Sequence, residues 1–324
     1  MGCGAFGMSF GQNGVLYRRK ERKEQVIRMT MVEKFREECR GNDEIRDAGV
    51  TEPEDVERFD DIPYGPDAVW NVLDVYRPKG KEGMLPVIVS VHGGGWVYGN
   101  KELYRFYGMA LVQQGFGVVN FTYRLAPEHK FPAQMEDINL VMEWILENGE
   151  RYGLDVEHIF FVGDSAGAHL AGLYTCVCTN PAYASGYAFR VPAQFVPKAV
   201  ALNCGVYIPV PSGEKEKLVH DQVNDLPKAL MPEGCTEKEA ELIDVTRHIT
   251  SAFPPVFLMT ATEDFCKPQA FCMEEVLKGC GVPYSFKIYG SEENPLHHVF
   301  HVDMHSSTGR ECNEEECAFF RGYL

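Results

Sequence analysis

This 324-residue chain predicts an α/β fold: a mainly parallel central sheet flanked by helices, with a helical cap. Three observations carry that expectation. Apolar, β-branched runs alternate with stretches of helical period. Two of the runs, "LPVIVSVHGGG" (85–95) and "HIFFVGDSAG" (158–167), lead into glycine, as a buried parallel strand does when it enters a tight turn. One long charged stretch, 207–250, contains "EKEKLVHDQVNDL" and has no strong strand run, so it reads as an insertion of short helices between two sheet strands.

The elements follow in order. Residues 1–15 are rich in glycine. From Arg18 to Arg40 the pattern is helical, with Val26, Met29, Val32 and Phe35 recurring at threes. The basic "RRKERK" ahead of that stripe allows a membrane-surface helix. The stripe is short and broken by acids, which favours packing over a neighbouring domain. Strand signals begin near Val56, and "VWNVLDVYRP" (69–78) is extended up to Pro78. After the run at 85–91 come a helix at 101–114 and the strand "FGVVNFTYR" (116–124). A helix over Asp137–Glu147 carries Ile138, Val141, Met142 and Ile145 on one face. The third buried run ends at the turn 163–167 and is followed by the helical "AHLAGLYTCVC". Further strands are expected at 197–202, 255–261 and 284–289. The division that results is a core of 51–206 and 251–324, capped by 1–50 and the insertion 207–250. The cap lies over the carboxyl edge of the sheet, where open α/β sheets carry their sites.

Composition excludes several classes of function. A net charge of −16 repels polyanions, so no nucleic-acid partner is expected. Eleven cysteines, an odd number scattered through a chain of this size, read as reduced thiols rather than a disulfide framework. Cys176 and Cys178 have no second pair at metal-site spacing and read as small buried residues. Cys266, Cys272 and Cys280 are spaced too irregularly for a cluster. The first residues lack a basic region followed by an apolar one, and no apolar run is long enough to cross a bilayer. The expectation is a soluble cytoplasmic protein with no membrane partner.

The sharpest motif is Gly163-Asp164-Ser165-Ala166-Gly167. A G-x-S-x-G pattern between an apolar strand and a helix is a nucleophile elbow. The tight turn strains the serine backbone and exposes its hydroxyl, and the glycines clear space for neighbouring chain. Ser165 is therefore the expected nucleophile. The run His92-Gly93-Gly94-Gly95-Trp96 follows another central strand. Acyl transfer builds negative charge on a carbonyl oxygen, and unobstructed backbone amides stabilise it. Gly94, Gly95 and Ala166 are the expected donors. The loop lacks the lysine and hydroxyl residue of a phosphate-binding motif and the G-x-G-x-x-G of a dinucleotide site. His92 reads as a scaffold group that hydrogen-bonds the glycine loop's backbone.

With "YRLAPEHKFPAQMED" (123–137), these motifs make the chain resemble α/β-hydrolases of the hormone-sensitive-lipase-like group, close to bacterial acetyl esterases and carboxylesterases. The resemblance covers about residues 55–324. It implies a triad in the order serine, acid, histidine. The family's acid follows the strand at 255–261 in a D-P-L context. Asp264 takes that place, with Phe265 and Cys266 in place of the proline and leucine, and Glu263 is the runner-up. The family's base lies in H-x-F after the last strand. His298-Val299-Phe300 fits it, whereas His297 and His301 do not and are expected as pocket or surface neighbours, with His301 able to tune the base by its charge. The resemblance also implies that Glu128 braces the site through hydrogen bonds. The residues themselves suggest that Arg124, Glu128 and Asp137 form a buried ion-pair network. Asp164 reads as a turn or pocket residue.

The histidine-rich "NPLHHVFHVDMH" (294–305) has a metal reading through His297 and His301, or through His301, Asp303 and His305. No H-E-x-x-H is present, and the expectation is no metal and no cofactor. The expected activity is hydrolysis of short-chain carboxylic esters, acetyl esters foremost and acetylated sugars among them. The expected partner is a small-molecule ester, and a homodimer is compatible with the sequence. Trp96, Tyr98, Phe131 and Tyr207 are aromatic candidates for the pocket wall. A serine peptidase of the same fold and a non-catalytic binding module remain as alternatives.

Overall fold

The computed structural model of the protein describes residues 29–193, 195–209 and 225–324. Its eight strands are β1 (Val56–Pro63), β2 (Val72–Pro78), β3 (Leu85–Val91), β4 (Gly117–Phe121), β5 (Leu154–Asp164), β6 (Val200–Asn203), β7 (Val256–Ala261) and β8 (Tyr284–Tyr289). They form one sheet in the order β1-β2-β4-β3-β5-β6-β7-β8. β2 runs antiparallel to both β1 and β4, and every other neighbouring pair is parallel. This is the α/β-hydrolase architecture.

The central strands are continuous apolar runs because both faces of the sheet are covered. Side chains alternate between the two cores. Val87, Val89, Val91 and Phe161 join one core with Met135, Ile138, Leu170 and Leu277. Ile88, Phe160 and Val162 join the other with Leu111, Val112 and Phe320. The first core belongs to the helices Ala133–Asn148 (α3), Ala166–Thr179 (α4) and Lys267–Cys280 (α5). The second belongs to Arg105–Gln113 (α2) and Ser307–Arg321 (α6).

The N-terminal helix, α1, spans Met31–Arg46, later in the chain than the apolar stripe suggests. Its start is set by a capping box in which Thr30 and Glu33 satisfy each other's backbone amides. It passes through Gly41 because Arg46 ties its last turn down, bonding to Asp43, Asp47 and the Leu103 carbonyl. The part of the expected helix before Met29 lies outside the described residues. α3 begins at Ala133, before the expected Asp137, directly after Pro132. The expected strand at 197–202 is the four-residue β6.

The described part of the insertion between β6 and β7 includes the short α-helices Leu226–Leu230 and Glu237–Ile243 and a 3-10 turn at Val245–Arg247. Residues 210–224, most of "EKEKLVHDQVNDL", lie outside the described residues. Cys176 is fully buried as expected, whereas Cys178 is only partly so, and Cys204, Cys266, Cys312 and Cys317 are likewise buried free thiols. Among the described residues no helix is long and apolar enough to cross a membrane.

Candidate active site

β5 ends at Asp164 and α4 starts at Ala166, so Ser165 alone makes the turn. Its backbone sits at φ 51° and ψ −118°, a conformation that strains a residue with a side chain. The surroundings hold it there. Its amide donates to the Asn203 carbonyl at 3.0 Å, and its carbonyl accepts from Val206 and His169, both at 3.2 Å. Gly167 has no substitute at this turn, because a Cβ there would lie 2.0 Å from the Val91 carbonyl oxygen.

The loop after β3 faces this turn. Gly94, at φ 106°, presents its carbonyl to the amides of Val97 and Tyr98, and a Cβ on it would meet the Tyr98 carbonyl at 2.2 Å. The Gly93 amide is committed to the Tyr104 hydroxyl. Among the described residues the amides of Gly94, Gly95 and Ala166 have no hydrogen-bond acceptor. His92 stacks on Tyr123 with ring centroids 4.0 Å apart, and its Nδ1–H donates to the Gly93 carbonyl. Burial pushes its pKa down to about 4, so the ring is a neutral strut. Trp96 is fully buried and donates to Nδ1 of His169, whose Nε2–H donates to the Ile243 carbonyl. The insertion and the glycine loop are thus joined through one imidazole.

Asp264 and His298 meet from the turns after β7 and β8. His298 Nδ1–H donates to Asp264 Oδ1 at 2.7 Å. The carboxylate also accepts from the Thr260 hydroxyl at 2.6 Å and the Cys266 amide at 2.9 Å. Burial works to raise the pKa of Asp264. The His298 contact and the other two donors outweigh burial and hold the pKa below the ordinary carboxylate value. Glu263 is exposed and pairs through its backbone with His297. Asp164 is buried and accepts from the Tyr104 hydroxyl at 2.8 Å, and burial pushes its pKa up to about 6.

The four clustered histidines have four different settings. His298 faces the cavity and His297 is an exposed residue on its rim. His305 is exposed and bonds the Ala48 carbonyl. His301 is a core residue rather than a pocket or surface neighbour. It is packed edge-on against Tyr107, and burial pushes its pKa down to about 3, so it carries no charge with which to tune the base. The proposed zinc sets through His301 do not form, because that ring is buried away from exposed His297 and His305. Among the described residues one trio of metal-type side chains converges, Cys204, Asp264 and His298, and two of its members share the 2.7 Å hydrogen bond.

Glu128 departs from the expectation. It is half exposed and pairs with Arg36 of α1 at 2.7 Å, so it neither bonds Ser165, Asp264 or His298 nor joins a buried network. Arg124 and buried Asp137 do form such a network, at 2.8 Å. Ser165, Asp164, His298, Gly94 and Gly95 open onto one cavity of about 580 Å3. Trp96 and Tyr98 line it. Phe131 packs instead on Tyr187, and Tyr207 is buried with its hydroxyl on the Leu202 carbonyl. One wall is α1, through Phe35, Cys39, Asp43 and Arg46, together with Phe265 after the acid. The spacing of Asp43 and Arg46 signals a helix but nothing about the wall it forms, and Tyr104 had no signal at all.

Residues 73–272 match the BD-FAE family model. Esterase LipQ of Mycobacterium tuberculosis is 35% identical over 150 residues, which are 45% of this chain and 35% of LipQ. Versiconal hemiacetal acetate esterase of Dothistroma septosporum is 28% identical over 226 residues, 64% of this chain and 66% of that enzyme. The chain thus spans between about a third and two thirds of the length of these curated relatives. Among solved structures, esterase B of Lactobacillus rhamnosis superimposes with a TM-score of 0.82 at 27% identity, over 90% of this chain and 96% of that one.

Proposed function

The chain belongs to the BD-FAE family, and from that premise we propose that it is a carboxylic ester hydrolase working through an acyl-enzyme on Ser165. The observation that carries the reading is the Asp264–His298 bond of 2.7 Å beside a strained serine on the wall of the same cavity. Nε2 of His298 takes the Ser165 proton as the hydroxyl oxygen attacks the acyl carbon. The negative charge on the former carbonyl oxygen falls to the free amides of Gly94, Gly95 and Ala166, each of which is typically worth roughly 3 kcal/mol to the transition state. The imidazolium, held by Asp264, then protonates the leaving alcohol, and water repeats the path to release the acid.

Short acyl chains are the proposed substrates, with acetyl esters first. Two relatives favour this reading. One is named for an acetate ester, and esterase B, at 27% identity, has been captured with a tributyrin phosphonate. We further read α1 and the helices Leu226–Leu230 and Glu237–Ile243 of the insertion as a cap that bounds the acyl group. The buried free thiols of Cys176, Cys204, Cys266, Cys312 and Cys317 favour a reducing, cytoplasmic setting.

The test is hydrolysis of p-nitrophenyl acetate, butyrate and octanoate by wild type and Ser165→Ala. Serine-dependent turnover that falls with acyl length supports the reading, and acetylated xylo-oligosaccharides then test the sugar substrates. Folded wild type that turns over none of these esters, yet cleaves a p-nitroanilide, would point to a peptidase. Inactivity on both would point to a binding module.

A further inference from the structure

Phe265 directly follows the proposed acid, is 36% exposed and lines the cavity that His298 faces. Its ring centroid lies 4.0 Å from that of His298, with 36° between the planes. Asp264 and Phe265 therefore approach one imidazole from two directions. The carboxylate takes the Nδ1 edge, and the phenyl ring lies over the face.

We propose that Phe265 is a positioning residue for the base, stabilising the His298 imidazolium that forms during acyl transfer. This rests on the reading of His298 as the base. The face of a phenyl ring carries the negative part of its quadrupole, so it attracts a cation above it far more than a neutral ring. The contact strengthens as the Ser165 proton moves to His298 and weakens when the proton leaves. An interaction that grows toward the transition state lowers the barrier. The same contact blocks rotation of the imidazole away from Asp264, which holds only one edge.

The other groups facing His298 stay in place when Phe265 is changed. They are Asp264 at Nδ1, Cys204 in the same cluster, buried neutral His301, and Asp43, Arg46, Asp164, His297 and Asp303 on the wall of the same cavity. A change in how His298 binds its proton then reports on Phe265.

The experiment compares wild type, Phe265→Leu, Phe265→Tyr and His298→Ala. The ring protonation of His298 is followed by NMR, alongside the pH profile of kcat/KM for p-nitrophenyl butyrate. Leucine keeps an apolar group at the site and removes the π face. In Phe265→Leu the protonation midpoint and the acid limb of kcat/KM should both move about half a pH unit lower, a threefold change in proton affinity. The value of kcat should fall roughly fivefold with KM nearly constant. Phe265→Tyr should restore all three. A midpoint that stays or rises in Phe265→Leu overturns the inference, whatever happens to kcat. Full activity in His298→Ala would overturn the reading of the base instead, and the NMR titration separates the two failures because it needs no turnover.

Discussion

Replacing Asp264 with asparagine tests the acid most directly, and the structure sets the size of the effect. Oδ1 of Asp264 accepts from both His298 Nδ1 and the Cys266 amide, while Oδ2 accepts from the Thr260 hydroxyl. An asparagine can keep its carbonyl oxygen at the first position and turn its amide toward Thr260, whose hydroxyl can accept as well as donate. The imidazole then keeps its proton on Nδ1, and Nε2 stays free to act. What is lost is the negative charge opposite the imidazolium. At about 4 Å and an effective dielectric constant near 20 that attraction is about 4 kcal/mol, or close to a thousandfold in kcat. The assay is kcat for p-nitrophenyl butyrate near pH 8, with thermal melts to show that the variant is folded. Glu263→Gln is the control, because that side chain is exposed and should leave kcat within twofold of wild type. A folded Asp264→Asn within tenfold of wild type, or a Glu263→Gln that loses as much, would refute the assignment.

Other variants test the supports of the site. Arg36 bonds the carbonyls of Val97 and Ala126 at 2.7 and 3.0 Å. Arg36→Met should cost about 2 kcal/mol, lower the melting temperature by roughly 3 °C and reduce kcat more than it raises KM, as calorimetry and steady-state kinetics would read. Gly167→Ala puts a Cβ 2.0 Å from the Val91 carbonyl oxygen and should give no folded protein, as circular dichroism would show. Burial pushes Glu316 up to about 7 and Asp164 up to about 6, both above their unfolded values. Their protonated forms thus contribute stability that is complete below about pH 4 and lost as pH rises through about 6 to 7. Glu316→Gln should flatten the decline in urea midpoint between about pH 5 and 7, with the Asn203 Oδ1 able to accept from the new amide.

Much of the fold was legible because strand periodicity and turn residues are local. The buried runs at 85–91 and 158–164, the G-x-S-x-G turn and the glycine loop each announce their own conformation. The errors came from contacts between distant segments. Glu128 sits in a motif, yet its partner Arg36 lies 92 residues earlier, on a helix whose apolar stripe begins upstream of its true cap at Thr30. His301 looks polar in sequence, but the short turn Phe300–Val302 drives it into the core against Tyr107. Phe131 and Tyr207 were plausible wall residues only while the direction of their side chains was unknown.

The choice between neighbours, Glu263 or Asp264 and His297 or His298, has one physical answer. β7 and β8 are parallel neighbours in register from Val256↔Tyr284 to Ala261↔Tyr289. The two chains separate by different lengths after that and meet again at Glu263↔His297. Glu263 and His297 form this bridge and are both exposed, and the residues that follow them, Asp264 and His298, sit where each chain turns and meet at 2.7 Å. The proposed acid and base thus stand at matching places after one bridge, so they are positioned as a pair. A change of one residue in the length of the loop 290–296 would set His297 or Val299 against Asp264 while leaving every strand of the sheet intact. The proposed triad therefore depends on the length of the loop that delivers His298 as well as on the H-x-F motif.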